Sequence, residues 1–430
     1  MSTPEVPKMT AHRRRVEEKG HIFYPGVKFL AERPGLSTKL VKVVDESGLI
    51  CTFDDLGRPI MPKKTARSYV KAIMDVFLPA GYPYTVTPDY TPYQIYDSLQ
   101  AFSSTIAGLL SSRAVLQGFG VGDSASSATA AVLLTVLQEA TGRLATILFA
   151  HRHGRAIEPE CKFYRFLADI VNDSALFLDV LSPALPTYPK VIALCGAGIL
   201  RALCGVAGGA AKASLSAHFA KNGNLAELNA KDGSQETVIS LFGMLVGSLF
   251  VQFVHGKVAV WTWMVILVGL HLWTNYKAVT SVQMRTLNKQ RMIIVTEAYL
   301  SDDKTILRPD QVAAREGILT CVPQIKNSTH ACFARKPSDI HLIKKVDRER
   351  FSSEEYIIVR AQDIMPTVSM IFMKEHASTK LMLEAWIEGS YSRQVHPRFW
   401  AGLKNAGWDL ETNALETGPS IRLVEEVKEE

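Results

Sequence analysis

The chain has 430 residues, of which 47% are hydrophobic, and its 48 basic and 42 acidic side chains leave a net charge of +6. This composition is typical of a membrane-embedded centre with polar ends, and the small charge excess without a dense basic patch argues against a nucleic-acid-binding protein. The six dispersed cysteines lack the spacing of a zinc site, so we expect no bound metal, no disulfides and a reducing compartment. The first twenty residues contain no apolar signal core, so an internal segment is expected to direct insertion into an intracellular membrane.

Residues 1–68 are predicted to form a soluble N-terminal region that contains a β-hairpin. Two β-rich runs, Leu40–Val44 and Leu49–Phe53, flank an Asp-Glu-Ser-Gly segment whose residues favour a turn. Pro59 and Pro62 then end the region.

Residues 69–290 are predicted to form a helical membrane domain, and its first long helix begins near Pro92. Proline is favoured in the first helical turn, and apolar residues recur from Ile95 at steps of three and four. The GxGxG segment Gly118–Gly122 is followed by Asp123 and Ser124, either of which is a favourable N-cap for a second helix. A phosphate-binding loop is one interpretation, but the segment lacks GK[ST] and follows a helix, which favours a tight interhelical turn.

A third helix is predicted after Pro159, and the basic run His151–Arg155 before it is interpreted as a linker. Arg165 and Asp169 lie four residues apart and can pair on one face of this helix. We favour a solvated polar face, with a polar pathway through a membrane as the alternative.

A fourth helix, from Val191 to Ala217, is rich in glycine and alanine. Gly205 and Gly209 form a GxxxG pair, which predicts a close helix–helix contact that leucine at either position would disrupt. Arg201 lies in the middle of this helix and needs a charged partner or a water-filled cavity.

The segment Thr237–Tyr276 contains two uncharged apolar runs separated by His-Gly-Lys. Each run is about long enough to cross a bilayer, which takes roughly 20 helical residues. A buried hairpin in a soluble protein is the alternative, but neither run has the polar stripe expected of a soluble helix. A two-pass hairpin returns to its starting side, so both flanks lie on one side of the membrane, and their excess of basic residues over the turn agrees with the positive-inside rule. The basic residues of the flanks are Lys212, Lys221, Lys231, Lys277, Arg285, Lys289 and Arg291.

Residues 291–430 are predicted to form a small C-terminal α/β (α+β) domain. Strands are expected at residues 356–359, 368–372 and 421–424, and helices at 379–386 and within HPRFWAGLKNAGW, where Gly407 is the C-cap. The predicted fold is therefore mainly α, with a polytopic or partly embedded helical membrane domain followed by this small domain.

Three segments resemble the root UVB sensitive family, also filed as a domain of unknown function: FLPAGYPYTVTPDYTPYQIYDSLQAFSSTIAGLLSSRAVLQGFGVGD, AKDGSQETV and HPRFWAGLKNAGW. The resemblance covers nearly the whole chain beyond about residue 65, with Tyr96 where the family has tryptophan. It implies a role in UVB responses and vitamin B6 homeostasis. It implies no catalytic mechanism, no cofactor and no organelle.

Three functions are compatible with these features. The first is a membrane protein that moves, or helps to move, a small anionic metabolite. The second is a non-catalytic scaffold that recruits a partner, such as a family paralogue or a second copy, through its C-terminal domain. The third is an enzyme acting on a vitamin B6-type phosphate, which we do not expect because GxSxG, HExxH and P-loop motifs are all absent from the sequence.

The candidate substrate-binding residues are charged groups expected to share a polar interior beside the hairpin. Arginine suits phosphate or carboxylate because its planar fork binds two oxygens, although internal Arg–Asp pairs would give the same pattern with no cargo. The candidates are Asp75, Asp89, Asp97, Arg113, Asp169, Arg201 and Asp232.

Overall fold

The computed structural model describes five N-terminal strands and, beyond them, residues 74–118, 128–221, 223–301, 304–319, 330–343, 355–360 and 368–424. The chain divides into two compact units. Residues 1–88 and 220–235 form the first unit, and residues 89–219 and 236–430 form the second. The domain boundaries expected after residues 68 and 290 stay a prediction.

The first unit contains an antiparallel meander of five strands in sequential order. The predicted hairpin is confirmed, because Val41 pairs with Phe53 across the third and fourth strands. The sheet is larger than predicted: the first two strands are joined by Pro25-Gly26, a turn dipeptide that could have revealed them. The strands are β1 (His21–Tyr24), β2 (Val27–Ala31), β3 (Val41–Asp45), β4 (Gly48–Phe53) and β5 (Pro59–Ile60).

Six long helices follow in the chain. They are α1 (Tyr90–Gly118), α2 (Ala128–Ile157), α3 (Cys161–Leu181), α4 (Thr187–Phe219), α5 (Leu225–Phe253) and α6 (Lys257–Ser281).

Two expected loops are helical. The basic run at 151–155 forms the last turns of α2, so its interpretation as a linker is wrong. Residues 225–236, expected in a loop before the hairpin, form the first turns of α5. These residues are mostly good helix formers, and Glu227 lies in the first turn, where a carboxylate favours the positive end of the helix dipole. The GxGxG interpretation lies largely outside the described residues.

Helices α2, α4, α5 and α6 are each long and apolar enough to cross a membrane. The predicted hairpin is confirmed as α5 and α6, separated by Val254–Gly256. Large apolar side chains such as Leu133 and Ile147 on α2 and Leu249 on α5 are more than half exposed in the isolated chain. These side chains form the surface that lipid would cover, so the chain has a helical membrane domain.

Helix α3 is not among these four helices, because it carries five charged side chains. It packs against α1, α4 and α6, and much of its surface is buried. The membrane domain therefore combines the four apolar helices with two more polar ones, α1 and α3.

The predicted contact through Gly205 and Gly209 is wrong. A methyl group added at either glycine would meet no atom within 4 Å, because both face away from the buried side of α4. Helix α4 instead approaches α2 at Gly198, where an added methyl group would lie 3.1 Å from the carbonyl oxygen of Gln138.

Close packing through glycine also occurs between α5 and α1. A methyl group added at Gly243 would lie 3.0 Å from Thr105 Cβ, and one at Gly247 would lie 2.6 Å from Leu109 Cδ1. Gly243 and Gly247 therefore allow α5 to lie directly against α1, as small residues do in membrane helix pairs.

The C-terminal region contains a mixed sheet covered by helices, which confirms the predicted mixture of strands and helices. Strand β8 pairs with β7 in antiparallel register and with β6 and β9 in parallel register. Ile371, Trp386 and Phe399 are buried in its core. The predicted end of the last helix is also confirmed, since Gly407 has a φ of 95°, which favours glycine. The elements are α7 (Lys289–Leu300), α8 (Pro309–Ala313), β6 (His330–Phe333), β7 (Tyr356–Arg360), β8 (Val368–Lys374), α9 (Thr379–Tyr391), α10 (Pro397–Asn405) and β9 (Arg422–Leu423).

Candidate functional site

The centre of the membrane domain contains a network of buried charges built on α3. Arg165 donates from Nη1 to Asp169 Oδ1 and from Nη2 to Asp97 Oδ1, each at 2.9 Å. The Arg165 side chain is only 12% exposed, and both carboxylates are at most 10% exposed. The solvated-face interpretation is therefore wrong, because α1, α4 and α6 cover the polar face of α3.

Side-chain amides complete the hydrogen bonding of the central carboxylate. Gln100 on α1 and Asn275 on α6 each donate through their amide nitrogen to Asp169 Oδ2. Gln100 Oε1 also accepts from Arg165 Nη2 at 3.2 Å. Since one carboxylate is bonded from α1, α3 and α6, the network fixes these three helices relative to one another.

His271 lies between two carboxylates of α3. Its Nδ1 is 2.8 Å from Asp173 Oδ2, and its Nε2 is 3.6 Å from Asp169 Oδ2. The His271 side chain is 2% exposed. The polar network therefore reaches the middle of α6, an otherwise apolar helix.

A second polar cluster lies further along α3. Asp179 Oδ2 accepts from Ser111 Oγ at 2.7 Å and from Arg201 Nη1 at 2.5 Å. Arg113 Nη1 donates to the carbonyl oxygens of Val251 and Val254 at 3.2 and 2.9 Å. Arg113 therefore satisfies carbonyl groups at the C-terminus of α5, which the helix itself leaves unpaired.

A cavity of about 220 Å³ opens beside Arg113. Its lining includes the cations Arg113 and Lys257, the amide of Gln117 and the indole of Trp261, and none of the lining residues is acidic. Lys257 is the first residue of α6, so this helix also directs its positive N-terminal end toward the cavity. This combination of charges suits a small anion, and Trp261 offers an apolar ring face beside it.

The predicted residues fall into separate groups. Asp97 and Asp169 share Arg165, whereas Arg201 pairs with Asp179, and Arg113 lies at the cavity. Asp89 accepts from the Gln283 backbone N–H at 2.6 Å and lies 2.9 Å from His218 Nε2. Asp75, which is exposed, and Asp232, which is buried, belong to the first compact unit. Whether any of the predicted residues binds substrate stays a prediction.

Several members of the network were not among the predicted site residues. Arg165, Asp169 and Asp173 follow one another at steps of four, a spacing that marks a single charged face within an apolar helix. His271 interrupts a long apolar run between Lys257 and Lys277. Both patterns are visible in the sequence, but Gln100, Asn275 and Asp179 join the two clusters only through contacts between helices.

Another buried ion cluster lies outside the four membrane-length helices. Lys162 Nζ is 2.6 Å from Glu316 Oε2, and Arg291 Nε is 2.8 Å from Glu316 Oε1. Burial favours the neutral acid, but Arg291 and Lys162 hold the pKa of Glu316 below its ordinary value. Burial, with a smaller contribution from the nearby Glu316 carboxylate, raises the pKa of Glu160 to about 7 against the opposing effect of Arg291.

The sequence of residues 63–303 matches the model of a family described as the vitamin B6 photo-protection and homoeostasis domain. This match covers more than half of the chain and includes α1 to α6, which hold the network and the cavity. The chain belongs to this family, the root UVB sensitive family. The resemblance found in the sequence is thus confirmed.

Similar proteins occur in a slime mould and a plant. RUS family member 1 of Dictyostelium discoideum is 37% identical over 260 residues, which are 60% of this chain and 49% of that protein. Protein root UVB sensitive 3 of Arabidopsis thaliana is 29% identical over 377 residues, which are 79% of this chain and 83% of that protein. Protein root UVB sensitive 2, chloroplastic, of the same plant is 24% identical over 402 residues, which are 91% of this chain and 82% of that protein. The chain thus spans about half the length of the Dictyostelium protein, and no solved structure matches it.

Proposed function

We propose that this chain is an integral membrane protein whose helical domain binds a small anionic metabolite and supports its passage across an intracellular membrane. The observation that carries the proposal is the polar helix α3, whose charges are covered by α1 and by α4 and α6, two of the apolar helices of membrane length. Charged groups at membrane depth are costly, and they are retained where they line a substrate or ion pathway.

The polar residues of α3 form a line from the cavity towards the other end of the bundle. Asp179, Asp173, Asp169 and Arg165 lie on one buried side of this helix. Fourteen residues separate the first from the last, which corresponds to about 21 Å of helix. This length is roughly two thirds of a bilayer core of about 30 Å, so the polar groups of α3 extend through most of the apolar layer.

The cavity supports a ligand that combines an anion with a flat ring. Its volume of about 220 Å³ lies below the roughly 300–1,000 Å³ of pockets for drug-sized ligands, so only a small molecule fits. Arg113 and Lys257 would hold a phosphate group, while the indole of Trp261, which also stacks on Phe177, would contact a ring. The family description names vitamin B6, and a phosphorylated form of that vitamin has both chemical groups.

The test is binding of pyridoxal 5′-phosphate to the full-length protein purified in detergent, followed by quenching of tryptophan fluorescence. Lys257→Gln should weaken binding at least about tenfold, because a hydrogen bond to a charged group contributes about 1.5–3 kcal/mol. Lys257 suits this test because its side chain is exposed and forms no hydrogen bond or ion pair among the described residues.

The matched control is Arg143→Gln, which removes one exposed positive charge from α2, away from the cavity. It should bind with wild-type affinity, and pyridoxal without phosphate should bind weakly to every variant. Equal affinity of the wild type and Lys257→Gln would exclude the cavity as the site. No binding to the wild type would refute an anionic vitamin B6 ligand.

Passage across the membrane needs a separate assay. The full-length protein in sealed liposomes should take up labelled pyridoxal 5′-phosphate faster than empty liposomes do, and Lys257→Gln should slow this uptake. Binding without uptake would reduce the protein to a membrane-bound receptor for the same ligand.

A further inference from the structure

We infer that His271, Asp169 and Asp173 form a proton-binding site at the centre of the membrane domain, and, on the basis of the proposed transport function, that this proton is coupled to passage of the anion. The site is distinct from the cavity at Arg113. Its ligand is a proton, and no covalent bond other than N–H or O–H forms or breaks.

The position of the imidazole is the first argument. Both ring nitrogens of His271 face carboxylates, with Nδ1 2.8 Å from Asp173 Oδ2 and Nε2 3.6 Å from Asp169 Oδ2. A neutral imidazole has one N–H and one bare nitrogen, so one carboxylate would face a lone pair. A doubly protonated ring directs an N–H at each carboxylate, so this arrangement favours proton uptake by His271.

The balance of charge is the second argument. The carboxylates of Asp97, Asp169 and Asp173 outnumber the one permanent cation, Arg165, so the cluster carries two excess negative charges when His271 is neutral. Protonation of His271 leaves the cluster with one excess negative charge. An uncompensated charge is unfavourable in a buried, low-dielectric site, so the cluster favours an additional proton on Asp169 or Asp173. The titratable and charged groups that face the cluster are Tyr93 and Asp97 on α1, Arg165, Asp169 and Asp173 on α3, Cys204 on α4 and His271 on α6.

An acceptor without a donor is the third, independent observation. Asn275 is fully buried and donates to Asp169, but its Oδ1 accepts no hydrogen bond within the described part of the chain. The same planar amide therefore offers an oxygen beside Asp169 that can accept from a protonated carboxyl group. A metal ion is a poorer candidate, because the described residues contain no group of three or more His, Cys, Asp or Glu side chains arranged to hold one.

The depth of the site suits a coupling ion. His271 lies 14 residues after the start of α6 and 10 before its end, which places it about 21 and 15 Å from the two ends. Coupling ions in secondary transporters bind near the middle of the membrane. A proton would enter from one side, reside on His271 or the carboxylates, and leave to the other side with the anion.

The proton site can be tested without any substrate. Wherever the native cluster retains protons that the unfolded chain releases, stability falls as the pH rises. The melting temperature of the full-length protein should therefore fall as the pH rises above about 6.5, the ordinary pKa of histidine. Glu160, with a pKa of about 7, titrates in the same range, so every variant is made in a Glu160→Gln background.

His271→Gln and Asp173→Asn should each reduce the pH dependence of stability by up to one proton per molecule. Asp173→Asn keeps the size of the side chain, so it reports on charge even if His271→Gln does not fold. The control, Glu139→Gln, removes an exposed carboxylate on α2 and should retain the full pH dependence. A pH dependence in Asp173→Asn equal to that of the control overturns the proton site.

Coupling is tested with pyridoxal 5′-phosphate uptake into liposomes under a pH gradient. Acid outside should accelerate uptake by the Glu160→Gln background protein severalfold, whereas Asp173→Asn should take up the probe at a rate independent of the gradient. If the uptake rate of the background protein does not depend on the pH gradient, coupling is overturned, whereas the proposed function is not. A complete lack of uptake refutes transport itself, and with it coupling, whereas the stability measurement still decides the proton site.

Discussion

Gly243→Leu should separate α1 from α5 and destabilise the membrane domain. The added Cβ would lie 3.0 Å from Thr105 Cβ and 3.4 Å from the Phe102 carbonyl oxygen. Neither atom can rotate away, because the first is bonded to the main chain and the second is part of it. Overpacking of this kind costs about 1–3 kcal/mol, and a leucine, with three further carbons, lies at the upper end.

Loss of a helical glycine offsets part of this cost. Replacing glycine within a helix gains about 1 kcal/mol, so the net loss of unfolding free energy is about 2 kcal/mol. For a domain of about 150–250 residues this lowers the melting temperature by about 4–8 °C. Gly205→Leu is the matched control, because its Cβ would meet no atom within 4 Å, and it should melt at or slightly above the wild-type temperature.

The assay is thermal unfolding of the three full-length proteins in one detergent, followed by tryptophan fluorescence. The expected order of melting temperatures places Gly243→Leu clearly below the wild type and Gly205→Leu. Equal melting temperatures for the two leucine variants would refute the assignment of the close helix contact to Gly243. A lower value for Gly205→Leu alone would restore the contact expected from the GxxxG pattern.

Three further predictions follow from the described contacts. Glu316→Gln should lower the unfolding free energy by about 3–5 kcal/mol, because it leaves the buried ammonium of Lys162 without its carboxylate. Chemical denaturation would measure this loss, and an unfolding free energy equal to that of the wild type would contradict it. Because the pKa of Glu160 is raised to about 7, its contribution to stability is complete below about pH 4.5 and is lost as the pH rises through 7. Glu160→Gln should therefore melt at a higher temperature than the wild type at pH 8 but not at pH 5. Equal melting temperatures at pH 8 would disprove the raised pKa. In a cysteine-free background, His255→Cys and Arg285→Cys should react with an impermeant thiol reagent from opposite sides of the membrane, and labelling of both from one side would exclude a spanning α6.

The apolar hairpin was predictable because its information is local. Two uncharged runs of membrane length with a short turn between them specify two helices in a lipid bilayer, independently of the rest of the chain. The C-terminal elements were predictable for the same reason: β-rich runs and a glycine after the last helix act within a few residues. The extension of α5 to Leu225 was missed because a run of good helix formers between polar residues has no distinctive boundary.

The partners of the charged and small side chains could not be predicted from local patterns. The sequence places Arg165 and Asp169 on one face but cannot show that α1, α4 and α6 cover that face. It also shows two glycines in GxxxG spacing at Gly205 but cannot show which side of α4 faces a neighbour.

The sequence by itself determined the centres of the long helices, which segments are apolar enough for a membrane, and the family to which the chain belongs. Only the tertiary structure decided that Asp97, Asp169 and Asp173 meet Arg165 and His271 in one buried cluster, and that Arg113 and Lys257 line one cavity. The physical reason is the range of the interactions. Hydrophobic periodicity and capping act within a few residues, whereas a buried charge is stabilised by groups that the chain brings together from up to 194 residues away.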